Sequence, residues 1–516
     1  MATLDAAKAD FGAEAARAAY GATGSGVGIC IADTGLDPGH EQLDDPGKIA
    51  GWRDLVNGRP DPYDDHGHGT HVAAIAAGAG TGGSSADRYA GVARGTALYG
   101  AKVLGGGGSG SDSQVIAGVE WCAAQPGVRV ISMSLGTSTA SDGQDSLSQA
   151  VNRAAAGGVA VVVAAGNSGD DRTTVGAPGA AAGAITVGAA ASYSAPAQGL
   201  YLAYFSSRGP TVDGRVKPDI AAPGASVTSA KSGGQATYVA YSGTSMATPF
   251  VAGAVALGLE GRPSWSPGEV RAALEGTAQD RGPTGKDGAG LVDVLGFVAS
   301  ANGTTARTSF PAYGRVTGSV ANNGLWSHAF QVSNLSAPIA AMLTIEGEAA
   351  CVFLCLGIEW SPDLDVRLRG PSGAVIAQST CAAGAECGVG RQETMHTMPP
   401  AVGTYTIEVY PFAGDPNNGK GGSFALELSG PIGPPPPPPS GSVHVGDLDG
   451  TSSPSQKRWT ARATITVHDA GEVPVAGAVV TGAWGGGSSV SCTTGSGGSC
   501  PSARRSRIEG PASASR

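Results

Sequence analysis

The stretch Val27-Gly-Ile-Cys-Ile-Ala-Asp33-Thr-Gly35 runs apolar and then stops on a carboxylate, and it decides how the first 300 residues are built. Similar apolar runs recur at Ala97 to Leu104, Val128 to Met133, Val159 to Ala165 and Ala184 to Val187. Between several of them the spacing becomes helical. Val115, Ile116, Val119 and Cys122 share one helical face, as do Leu147, Val151 and Ala154, with Gly157-Gly158 placed as a C-cap. Continuous apolar strands alternating with amphipathic helices predict an α/β fold, a mostly parallel sheet with helices on both faces. Sites in such sheets form at the carboxyl ends of the strands. Asp33 stands there, and so does Asn167 of Ala164-Ala-Gly-Asn167-Ser-Gly169.

Two more segments carry chemistry. Asp65-His-Gly-His68-Gly-Thr-His71-Val72 opens one apolar helical run, and Gly243-Thr-Ser245-Met-Ala-Thr-Pro249 opens another. A serine hydroxyl is a weak nucleophile until a base takes its proton, and that base needs a carboxylate to hold its tautomer. Met246 to Leu259 reads as a helix, with Pro249 expected in its first turn, where a missing N–H does no harm. Ser245 then sits at the positive helix end, with its own N–H facing a developing oxyanion, and the neutral amide of Asn167 offers a second donor. Each residue has a blander role. An Asp after a strand is often a cap or turn residue, a Ser is a common cap, and Asn-Ser-Gly makes a turn. A cap accounts for Ser245 but not for the Gly-Thr before it or the Met-Ala-Thr-Pro after it. The i,i+3 pair His68 and His71 raises a metal site, yet the glutamate of a His-Glu-x-x-His pattern is missing and no cysteine is near. No metal ligand is assigned.

In the order Asp33, His68, Asn167, Ser245, these segments resemble the subtilisin-like serine peptidases, the subtilases. The resemblance runs from about Phe11 to about Ala299 and takes in Ser206-Ser-Arg-Gly-Pro210 and Lys217-Pro-Asp-Ile-Ala-Ala-Pro-Gly224. It implies a subtilisin-like fold, with Ser245 as nucleophile, His68 as general base, Asp33 orienting it and Asn167 in the oxyanion hole. His71 matches a structural histidine of the family, and His66 is read as solvated. The resemblance also implies that Ser134, Leu135 and Gly136 pair with an extended peptide, and that Val175, Gly176, Ala177 and Pro178 line the pocket for the side chain before the cut. That loop carries no charge, which favours an apolar or medium-sized residue, with Asp170 and Asp171 near enough in sequence to modify the preference. Catalysis needs no cofactor; structural Ca2+ is common in relatives, with no ligands assignable here.

Composition sets the outer limits. At 516 residues the chain has room for two to four domains. A net charge of −10, with no Lys/Arg run before Arg504, argues against a nucleic-acid partner. The longest apolar stretches are too short to span a bilayer, so no membrane association is expected. The N-terminus lacks a signal-peptide pattern although the rest looks exported. Relatives are made with a signal and a pro-segment, and this reading frame is expected to omit both. The expectation is an extracellular monomer acting on protein and peptide substrates.

After residue 305 the character changes. Leu364 to Arg369, Thr404 to Tyr410 and Ser423 to Leu428 read as strands separated by Gly, Pro and Asn turns, as in a β-sandwich. The run around Leu364-Asp-Val-Arg-Leu-Arg369 and Gly403-Thr-Tyr-Thr-Ile-Glu-Val-Tyr410 resembles pre-peptidase C-terminal domains. The chain is therefore divided into a peptidase domain at 1–305, a β-sandwich at 306–430, a Pro-rich linker at 431–440, a short incomplete Ig-like β module at 441–500 and a disordered tail at 501–516. Cys351, Cys355, Cys381, Cys387, Cys492 and Cys500 cluster in the accessory modules, where disulfides fit an oxidising compartment. Cys30 and Cys122 are read as buried free thiols. Two competing functions remain at this level: a catalytically silent binding protein on the same fold, and an acyl transferase that delivers the acyl group to an amine rather than to water.

Overall fold

The computed structural model describes residues 2–83, 87–194, 199–281, 286–352, 357–379, 391–412, 419–433, 443–455, 458–469, 479–484, 488–494 and 499–507. Seven strands form one parallel sheet: β1 (Gly28–Asp33), β2 (Ile49–Asp54), β3 (Ala97–Lys102), β4 (Val128–Met133), β5 (Ala160–Ala164), β6 (Ala184–Ala190) and β7 (Ile220–Pro223). Their spatial order is β2-β3-β1-β4-β5-β6-β7, every pair parallel. The sequence hides β2 because it lies at the sheet edge, where Ile49-Ala-Gly-Trp-Arg-Asp54 is mostly half-buried or exposed and needs no apolar run.

Both faces of the sheet are covered. Ile29, Ile31, Val130 and Val162 face one core with helices α1 (His68–Ala77) and α4 (Thr244–Gly261). Their sequence neighbours Cys30, Ala32, Ile131, Val161 and Val163 face the opposite core with α2 (Asp112–Ala123) and α3 (Ser146–Ala156). The period of two sends alternate side chains to opposite faces, and burying each Val or Ile contributes about 1.5–3 kcal/mol, which is why these strands read as unbroken apolar runs.

Local signals end the helices where expected. Ser111 and Gln114 form a reciprocal capping box at the start of α2. At the end of α3 the Val159 N–H donates to the Ala154 carbonyl and the Gly158 N–H to the Ala155 carbonyl, with Gly158 at φ 95°, a Schellman closure. The start of α4 differs from the sequence reading. It begins at Thr244, so Pro249 falls in the second turn rather than the first. The N–H that Pro249 lacks would have bonded the Ser245 carbonyl, and the Ser134 hydroxyl takes that carbonyl instead, at 2.8 Å.

Cys30 and Cys122 are not free thiols. They form a disulfide between β1 and α2 with a Cα–Cα distance of 5.8 Å, across a sequence separation of 92. Strand and helix periodicity describe each residue's own element and carry no information about this pairing. Cys492 and Cys500 are also bonded, and the side chains of the four cysteines between 351 and 387 lie outside the described residues.

Met1–Pro434 forms one compact unit and Pro435–Arg516 another. Within the first, two antiparallel sheets follow the α/β region. One has β8 (Ala312–Ser319), β15 (Ser423–Gly430), β10 (Ile339–Ile345) and β13 (Gln392–Thr397) in that order. The other runs β12 (Val375–Ser379), β11 (Leu364–Arg369), β14 (Gly403–Pro411), β9 (Trp326–Val332) and β16 (Ile432–Gly433). Leu343, Leu426, Leu364, Val366 and Ile407 meet in one core between them. In the second unit Val443–Ser455, Arg458–Asp469 and Ser499–Arg507 form an antiparallel sheet, and Val479–Trp484 pairs with Ser488–Thr493. Residues 501–507, expected as tail, are thus in a strand: backbone pairing with Arg458–Asp469 gives order that side-chain periodicity does not announce. Among the described residues no helix is long and apolar enough to cross a membrane.

Candidate active site

Three adjacent strands deliver three residues to one edge of the sheet. Asp33 ends β1, Ser134 follows β4, and Asn167 lies beyond the end of β5. Helices α1 and α4, packed on the same face, begin beside that edge and bring His68 and Ser245. The four residues singled out in the sequence therefore come from four elements whose ends converge.

His68 Nδ1 bonds Asp33 Oδ1 at 2.7 Å. Asp33 is 1% exposed, and its Oδ1 also accepts the Thr34 N–H at 2.7 Å. Burial pulls the His68 pKa down, but the charge and hydrogen bond of Asp33, joined by the charge of Asp64, outweigh it and leave the imidazole above its ordinary value. Nδ1 is thus held as the donor, and Nε2 is the nitrogen left for a reacting proton.

Asp64 is a residue that sequence reasoning missed. Its carboxylate accepts the N–H groups of His66, Gly67 and Thr70 at 3.1, 2.8 and 2.9 Å, and the Thr70 hydroxyl at 2.7 Å. These bonds outweigh the burial that would raise its pKa and hold it below the usual carboxylate range. It also accepts the Thr34 hydroxyl at 2.9 Å, and Thr34 Oγ1 accepts the Gly69 N–H at 2.8 Å. Asp64 therefore caps α1 and ties it to the residue after Asp33. An Asp shortly before a helix start is the available signal. Lys102, fully buried at the end of β3, supports the same loop through Asp65 at 2.6 Å and the Leu104 carbonyl at 3.0 Å. His71 is buried beside them with Nε2 at 3.0 Å from the Val239 carbonyl, and burial pushes its pKa down to about 3. It is neutral and structural. His66 is exposed at the rim.

The orientation of the Asn167 amide follows from its partners. The Thr244 backbone N–H, which can only donate, meets Asn167 Oδ1 at 2.9 Å, and the Thr244 hydroxyl donates to the same oxygen at 3.0 Å. Nδ2 is therefore the free end. A Cβ placed on Gly243 would lie 3.4 Å from Asn167 Nδ2 and 3.6 Å from the Ser245 nitrogen, so both donors border the space that this glycine leaves open. The Ser245 N–H has no acceptor among the described residues. Ser245 Oγ donates to the Ser134 carbonyl at 3.3 Å and is not hydrogen-bonded to His68.

Two clefts meet here. One, of about 460 Å³, is lined by His66, His68, Leu104 and Gly107 to Gly110 on one side and Ser134 to Thr137 on the other. The second, of about 240 Å³, lies between Leu135 to Ser138 and Gly166 to Ser168, with Thr244 and Ser245 at its mouth, and none of its lining residues is charged. Ser134, Leu135 and Gly136 thus border the site. Val175, Gly176, Ala177 and Pro178 are buried next to the cleft-lining segment: the Thr137 N–H bonds the Ala177 carbonyl and the Ser141 N–H bonds the Val175 carbonyl. The Asp171 carboxylate and the Asp170 backbone are engaged elsewhere. Arg391 pairs with Asp171, and the Arg208 guanidinium donates to the Asp170 carbonyl at 3.1 Å.

Residues 24–290 match the Peptidase_S8 profile, described as the Subtilase family. Serine protease AprX of Bacillus subtilis (strain 168) is 41% identical over 298 residues, covering 53% of this chain and 66% of that protein. Subtilisin of Bacillus pumilus is 40% identical over 277 residues and Subtilisin Savinase of Lederbergia lenta 41% over 273, each match covering 53% of this chain and 91% of the relative. Among solved structures, a cold adapted subtilisin-like serine proteinase aligns with TM-score 0.43 and 33% identity, covering 52% of this chain and 88% of the other.

Proposed function

The chain belongs to the subtilase family of serine-type endopeptidases, and from that premise we propose that it cleaves proteins and peptides through an acyl-enzyme formed on Ser245. The observation that carries this reading is the 2.7 Å bond between His68 Nδ1 and Asp33 Oδ1 at the junction of two clefts onto which Ser245 opens.

The Ser245 hydroxyl turns from the Ser134 carbonyl to His68 Nε2 when a substrate carbonyl arrives; such bonds are often loose until the reacting complex forms. Oγ attacks the carbonyl carbon as Nε2 takes its proton, and Asp33 stabilises the imidazolium. The carbonyl oxygen becomes an oxyanion between Asn167 Nδ2 and the Ser245 N–H. Collapse expels the amine, which leaves with the proton from Nε2. Water then enters, gives its proton to Nε2, and hydrolyses the acyl-enzyme. An extended peptide lies along Ser134, Leu135 and Gly136. The uncharged cleft beside Asn167 suits an apolar or medium-sized side chain before the cut.

The same reading takes the enzyme to be secreted, monomeric and free of any catalytic cofactor. It takes 306–430 as a β-sandwich accessory domain of the pre-peptidase C-terminal kind, supported by the core shared between its two sheets, and 441–500 as a partial Ig-like module. Cleavage profiling on a peptide library tests it. Products should carry new free carboxyl ends after apolar or medium-sized residues and be absent with Ser245→Ala. Transfer to an added amine in preference to water, or undiminished cleavage by the variant, contradicts it.

A further inference from the structure

Far along the chain from the cleft residues, three carboxylates contributed by the two antiparallel sheets come together. Asp363 and Asp365 flank Leu364 at the start of β11, and Glu393 is the second residue of β13 in the other sheet. One oxygen from each lies within 4.8 Å of the other two. Glu393 is 0% exposed and Asp365 4%. Ser379 donates its hydroxyl to Glu393. Asp365 takes no hydrogen bond and no ion pair among the described residues, and the basic residue two places along its strand, Arg367, is paired with Glu408. Buried carboxylates are ordinarily paired, protonated or bound to a metal, and among the described residues Asp365 has no partner.

The geometry points to a divalent-cation site, calcium by its ligand chemistry, formed by Asp363, Asp365 and Glu393 in the two-sheet region. Three carboxylates are hard oxygen donors, with none of the nitrogen or sulfur that zinc favours. Three protein carboxylates on one ion suit calcium, which takes six or more oxygen ligands in flexible geometry, better than magnesium, which usually keeps several waters and takes one or two carboxylates. The ion ties β11 of one sheet to β13 of the other. β13 matters because it begins beside the α/β region: Arg391 pairs with Asp171, and Gln392 bonds Arg208 and the Leu202 carbonyl, the last at 3.0 Å. The cation thus fixes the strand that docks on the loop following Asn167.

The test uses the full chain carrying Ser245→Ala, which removes self-digestion, stripped with chelator and titrated with Ca2+ by calorimetry. Asp365→Asn and Asp363→Asn are titrated on the same background. Each variant is expected to bind one fewer equivalent of calcium than the parent, or to bind that equivalent at least tenfold more weakly, and to lose part of the calcium-dependent rise in Tm. Unchanged stoichiometry and affinity in a folded variant overturn the proposal, as does a parent that binds no calcium; the three carboxylates are then held by shared protons. Asp363 is only partly buried, so Asp363→Asn decides the matter if Asp365→Asn fails to fold.

Discussion

The Ser134 hydroxyl donates to the Ser245 carbonyl at 2.8 Å, and the Ser245 hydroxyl donates back to the Ser134 carbonyl at 3.3 Å. The first bond exists because Pro249 has no N–H to offer the Ser245 carbonyl. Ser134→Ala therefore leaves that carbonyl without a partner, at a cost of about 1–3 kcal/mol. Urea unfolding on the Ser245→Ala background measures it. Adding Pro249→Ala restores an N–H four residues along the helix, so the double variant should recover part of the loss. Strict additivity of the two changes counts against this account of the turn.

Asn167→Ala removes one of the two donors facing the oxyanion. Loss of one such donor in subtilisin costs about 10²–10³ in turnover, and a fall of that size in kcat with little change in KM is expected here. Thr244→Ala should have a smaller effect in the same direction, because the Thr244 N–H still holds Asn167 Oδ1. Steady-state kinetics on one peptide substrate distinguishes the two.

Activity should rise with pH on an acid limb set by His68. Burial opposes the imidazolium, but Asp33 and then Asp64 favour it more, so the folded pKa lies above the ordinary value of about 6.5 and the free base appears only above that. Asp64→Asn keeps an acceptor for the cap of α1 and removes one raising charge. The acid limb of kcat/KM must then move to lower pH. A limb that stays in place or moves up contradicts this electrostatic picture.

His71 makes the fold sensitive to acid. Its folded pKa, depressed to about 3 by burial, lies below that of the unfolded chain, so between about 6.5 and 3 the unfolded state binds a proton that the folded state refuses. The resulting stability is present above that window and falls by about 1.4 kcal/mol per pH unit on descending through it. Unfolding free energies of Ser245→Ala measured from pH 7 to 4 should show this slope. His71→Asn should flatten it by about that amount.

Much of this was legible in the sequence because the central strands are buried on both faces and the site residues follow strand ends or open apolar helices. β4 was read to its last residue, and Asp33 could be placed at a strand end from pattern alone. What stayed hidden depends on contacts distant in sequence. The edge strand β2 needs no apolar run, and the Cys30–Cys122 bond joins elements 92 residues apart. Asp64 carries only the general capping signal of an Asp before a helix; its tie to Thr34, thirty residues away, is a tertiary contact that the local pattern does not display.

The central claim is that Ser245 is a nucleophile activated by His68, and labelling with a serine-directed fluorophosphonate tests it most directly. The folded full-length chain should take up one equivalent, located on Ser245 by peptide mass mapping, while Ser245→Ala takes up none and His68→Ala reacts far more slowly. A folded chain that stays unlabelled, or a Ser245→Ala variant that still labels, contradicts the account.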